Sequence, residues 1–107
     1  MAWIYLLIAG VFETVWAVAL KYADGFTRPF PSVVVAVAMT LSVVLLGMAL
    51  KSLPLGTAYA IWTGIGTLGA VAYGIFFWNE PATALRLLFI AMIIGGLVGL
   101  KLVSAQV

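Results

Sequence analysis

Few residues in this chain could do chemistry, and they are unevenly placed. Its 107 residues include no cysteine and no histidine, and the carboxylates are Glu13, Asp24 and Glu80. Disulfides, zinc sites, haem ligation and histidine-based acid–base chemistry are therefore excluded. Glu13 lies inside Ala9-Gly10-Val11-Phe12-Glu13-Thr14-Val15-Trp16-Ala17, the centre of an apolar run from Met1 to Leu20. A run of about 19 such residues can cross a bilayer as a helix. At ~1.5 Å rise per residue, Glu13 would sit ~15 Å from the helix start, close to the membrane midplane. An acid there costs at least about 2.5–3.5 kcal/mol, and an intramembrane acid is by default functional. The chemistry open to it is the holding of a proton or a cation.

Other residues can surround that acid. On a helix, positions 6, 9, 10, 13, 16, 17 and 20 share a face, so Ala9, Gly10 and Ala17 leave room beside Glu13, and Trp16 lies one turn away with an indole N–H to donate. In the third apolar segment, Tyr59, Trp62, Gly66, Gly69 and Tyr73 share a face, and Ser42 offers a hydroxyl at similar depth from the second. Aromatic faces attract cations by about 0.5–2 kcal/mol. Taking a carboxyl group out of water favours its neutral form, and a nearby cation favours its charged form. Two copies of Glu13 facing each other would sharpen that choice. Protons and a cation would then compete for one site.

The elements that must position these residues follow from the composition. The chain is 66% hydrophobic and 7% charged, which no soluble domain of this length can bury, so the class is an all-α integral membrane protein with a single domain. A net charge of +2 is too small and dispersed for nucleic acid. Ala17-Val18-Ala19 mimics a signal-peptide cleavage site, but the stretch before it has no basic start, is too long and carries a glutamate, so the first helix is expected to be retained. Four transmembrane helices are expected over residues 2–20, 32–50, 55–78 and 84–103. They are separated by the Asp24-Gly25 turn and its following prolines, by Lys51-Ser52-Leu53-Pro54, and by Asn79-Glu80-Pro81-Ala82-Thr83.

Four crossings put both termini on one side. Lys21, Arg28 and Arg86 then face Lys51 and Lys101 across the membrane, a weak positive-inside bias that lets the chain insert in either orientation. Two opposed copies would form the inverted pair typical of alternating access. Four helices also have little room for both a cavity and a lipid-facing coat, so a homodimer with the site at its interface is expected. Gly95 and Gly99 form a GxxxG pair suited to close helix packing. Trp3, Tyr5 and Trp78 read as interfacial anchors. Tyr73 reads as packing, Arg28, Lys51 and Arg86 as loop or headgroup charges, and Glu80 as a partner of the fourth helix's terminus. Lys101 either snorkels or binds a neighbour's carbonyls as an accessory residue.

The lone Glu13 in helix 1 and Gly-Thr-Ala-Tyr-Ala-Ile-Trp-Thr-Gly-Ile-Gly from Gly56 to Gly66 resemble the small multidrug resistance transporters, over essentially the whole chain. Phe12 to Ala17, Leu20-Lys21, Gly25 to Arg28, Glu80-Pro81, Arg86 and Gly99-Leu100-Lys101 are similar to the guanidinium exporter subtype. The resemblance implies an antiparallel, dual-topology homodimer in the bacterial inner membrane. It implies that Glu13 of both subunits binds protons or substrate in turn, with Trp16, Ser42, Tyr59 and Trp62 in the polar network around it. It assigns the helix 3 glycines, Gly64, Gly66 and Gly69, to the bend that switches access. Guanidinium suits such a site, since a carboxylate can accept two parallel N–H bonds from this planar cation and indole donors could hold that carboxylate in place. A broad exporter of quaternary ammonium or hydrophobic cations, or a non-transporting assembly subunit, are the alternatives. No nucleophile–base pair, metal cluster or cofactor motif points to an enzyme.

Overall fold

The computed structural model describes residues 1–104. It contains four helices: α1 (Ala2–Tyr22), α2 (Pro29–Ala49), α3 (Leu55–Phe77) and α4 (Ala84–Ser104). Each is long and apolar enough to cross a membrane.

The helix ends have local causes. α1 runs two residues past the expected Leu20, because nothing before Asp24 breaks a helix and Lys21 suits the negative end of the helix dipole. The chain then reverses through Asp24, Gly25 and Phe26, at φ values of 49°, 69° and 66°. Thr27 closes the turn by donating from Oγ1 to Asp24 O at 2.7 Å. α2 begins at Pro29, three residues before the expected Ser32, since a proline in the first turn has no needed N–H to lose. Pro54 stands in extended backbone just before α3, as its N-cap residue.

Lipid tails are as apolar as leucine, so helices associate in a membrane through close packing and interhelical hydrogen bonds rather than the hydrophobic effect. The buried positions fit that rule. Ala9, Gly10 and Ala19 of α1, Ala38 and Ala49 of α2, and Ala58, Gly66 and Gly74 of α3 are all buried and all small. The central cluster adds Leu6, Leu46, Ile61 and Trp62. α1 lies between α2 and α3, which barely touch each other, and the backbone of α4 packs on α3, reaching α1 only through Lys101 over Trp3. The fold is thin, 45 × 35 × 16 Å. At the α3–α4 contact, a Cβ on Gly64 would stand 2.5 Å from Leu97 Cδ2. No residue from 84 to 103 is buried.

Candidate functional site

α1 and α3 run parallel, and their seam carries Glu13. The Glu13 carboxylate lies where a Cβ on Gly66 would stand, and the Thr14 side chain lies where a Cβ on Gly69 would stand. Gly10 receives Ile65 in the opposite sense: a Cβ there would be 2.7 Å from Ile65 Cγ2. Glycine at these positions is therefore a matter of space and not only of helix flexibility. Thr14 Oγ1 also donates to Gly10 O at 3.3 Å and to Gly66 O at 3.5 Å, so a hydroxyl bridges the seam at the same glycine that seats the acid.

One turn earlier on α1 is a second polar node. Trp62 Nε1 donates to Ser42 Oγ at 2.8 Å, and Ser42 Oγ donates to Ala9 O at 2.7 Å. Ser42 is fully buried and joins all three helices. Ala9 O is the carbonyl that helical i→i−4 bonding pairs with the Glu13 backbone N–H, so this node fixes the turn on which the acid stands. Tyr59 stacks on Trp62 with ring centroids 5.4 Å apart. It is 54% exposed and faces outward from the protomer.

Within the described residues of one chain, neither indole donates to Glu13. Trp62 spends its N–H on Ser42, and Trp16 Nε1 is buried with no hydrogen-bond partner among the described residues. Glu13 Oε2 is likewise buried and unpartnered. The structure thus separates the candidates into a seat (Glu13 on Gly66, with Gly10, Gly69 and Thr14) and a brace (Ser42, Trp62, Tyr59). Gly95 and Gly99 meet nothing within 4 Å of where a Cβ would stand, so within one chain they pack against nothing. Lys101 Nζ lies over the Trp3 ring, 5.4 Å from its centroid, rather than on backbone carbonyls.

Two features escaped the reading of the sequence. Tyr22 and Tyr73 share a 2.6 Å hydrogen bond between their hydroxyls, closing the seam at its far end. The offset from Tyr22 to Tyr73 is close to that from Glu13 to Gly66, and this matching register was the available signal. Lys21 sits over Trp78, 4.9 Å from the ring centroid, and Tyr22 packs against the same ring at 5.2 Å. Glu80 pairs with Arg86 Nη2 at 2.9 Å in the first turn of α4, as a partner of that helix's terminus should, and its carboxylate also folds back over Gly74. Arg86 also donates to Pro81 O at 2.8 Å, so its charge staples the α3–α4 connection.

Four helices long and apolar enough to cross a bilayer define a multi-pass membrane protein. The profile described as Small Multidrug Resistance protein matches residues 1–93, and the chain belongs to that family. A "Guanidinium exporter" of Salmonella typhimurium is 55% identical over 102 residues, 95% of this chain and 97% of the relative. One from Yersinia pseudotuberculosis is 53% identical over 104 residues, 97% of this chain and all of the relative. One from Citrobacter freundii is 52% identical over 102 residues, with the same shares as the first.

Proposed function

We propose that this protein exports guanidinium and small guanidinyl cations from a bacterial cell in exchange for protons, as an antiparallel homodimer in the inner membrane. The observation that carries the reading is the seat of Glu13: an acid placed on glycine, one oxygen buried, and no donor to it among the described residues. A planar cation with several N–H groups supplies the missing donors, and a proton supplies them in its absence. Binding one species displaces the other, which is what coupling requires. Two carboxylates, one from each subunit, carry up to two protons inward for each cation expelled. The names of the relatives support the choice of guanidinium.

In the dimer, Tyr59 and Trp16 face the shared cavity, the buried Ser42–Trp62 brace holds α1 in register, and α3 bends about Gly64, Gly66 and Gly69 to switch access. Gly95 and Gly99 of α4 pack against the partner copy. Guanidinium loaded into proteoliposomes should drive proton entry into the lumen as it leaves, and an equal gradient of tetramethylammonium should drive much less. Equal proton fluxes for the two cations would favour the broad exporter, and no flux for either would favour the assembly subunit.

A further inference from the structure

A cavity of about 500 Å³ opens beside α1 and meets the Glu13 seat only at Thr14. Val15, Val18 and Tyr22 line it from α1, Phe30 and Val34 from α2, and Arg28 from the loop before α2. Val15, Val18 and Tyr22 follow at i, i+3 and i+7 and so share a helix face. Val15 is two positions from Glu13, about 200° around the helix, so that face points away from the acid. A partner copy that meets Glu13 leaves this side to the bilayer.

The cavity has the proportions of half a membrane. Its lining on α1 runs from Thr14 to Tyr22, nine residues spanning about 12 Å along the axis, close to the ~15 Å depth of one hydrocarbon leaflet. Its wall is almost wholly apolar, and the fixed charge is at the loop end. Arg28 is exposed, and its guanidinium has no ion pair or hydrogen bond among the described residues. Its backbone carbonyl is occupied, accepting from Ser32 Oγ at 2.7 Å, which holds the residue at the head of α2. The hydrogen-bonded Tyr22–Tyr73 pair forms a stiff wall.

We propose that this cleft is a binding site for an anionic phospholipid, with one acyl chain between α1 and α2 and the phosphate on Arg28. Guanidinium groups bind phosphate through two parallel N–H bonds, and basic pockets between helices select anionic headgroups. Glu13 does not line the cleft, and Thr14 is the one residue of its seat that does, so the lipid site is tested on Arg28 and Val34, which the transport reading does not use.

The test is native mass spectrometry of the full chain released from bilayers of phosphatidylglycerol and phosphatidylethanolamine in equal amounts. The unmodified protein should retain phosphatidylglycerol in preference. Arg28→Gln should lower that retention about five-fold, as expected for one basic group at a membrane surface. Lys51→Gln, at the opposite end of α2, should leave it unchanged. Val34→Trp, which fills the cleft, should remove both lipids. Full retention by Arg28→Gln or by Val34→Trp would overturn the proposal, as would an equal loss from Lys51→Gln, which would indicate general surface charge. Displacement of the lipid by a long-chain alkylguanidinium would also overturn it, assigning the cleft to substrate.

Discussion

α1 and α4 are both apolar helices of 21 residues, yet they do opposite things. α1 is flanked by α2 and α3, carries the acid, accepts a hydrogen bond from Ser42 of α2 and donates one from Thr14 to α3. α4 touches α3 along one edge and buries none of its residues from 84 to 103. The difference lies in small residues and where they are used. Gly10, Gly66 and Gly69 are filled by side chains of the same chain, whereas Gly95, Gly96 and Gly99 are filled by nothing. In a membrane, where close approach is a main source of helix association, used glycines belong to a seam within the chain and unused ones leave room for another helix to approach.

The contrast can be broken at each end. Gly66→Val should have the largest effect. Its side chain takes the place of the Glu13 carboxylate, which is the free end of a flexible side chain and must move. Guanidinium affinity should fall more than ten-fold by calorimetry while helical content by circular dichroism stays the same. Gly95→Leu should do the reverse. The protomer has open space there, so its own stability should change by no more than about 0.5 kcal/mol, while dimer dissociation measured by single-molecule photobleaching in liposomes should rise about ten-fold.

Smaller effects sharpen the division between seat and brace. Ser42→Ala removes the link between Trp62 Nε1 and Ala9 O and leaves a buried indole N–H unpaired. Interhelical hydrogen bonds in membranes are worth about 0.6–1.7 kcal/mol, so affinity should drop a few-fold, and thermal unfolding should report the same loss. Thr14→Val keeps the shape of the side chain and removes two long hydrogen bonds, of 3.3 and 3.5 Å. About a two-fold change in guanidinium affinity is expected, restored by Thr14→Ser.

The sequence exposed the parts that depend on local spacing. An acid in an apolar run, a GxxxG pair and proline-marked breaks are each visible without a fold. Ser42 could be named from its depth alone, but its role as the joint of three helices could not, because that depends on α2 meeting α1 at Ala9 and α3 at Trp62. Where the indole N–H groups point within one chain was hidden for a related reason. Helical spacing places Trp16 one turn from Glu13 but says nothing about which way the ring points, and Trp62 found a nearer acceptor. Tyr22–Tyr73 and Glu80 on Gly74 were hidden because they depend on the register of one helix against another.

The account rests on protons and guanidinium excluding each other at Glu13. Guanidinium added to the purified protein in weak buffer should release protons over the pH range in which the site binds, and Glu13→Gln should release none. Equal release from the Glu13→Gln variant, or no release from the unmodified chain at any pH where guanidinium binds, would contradict it.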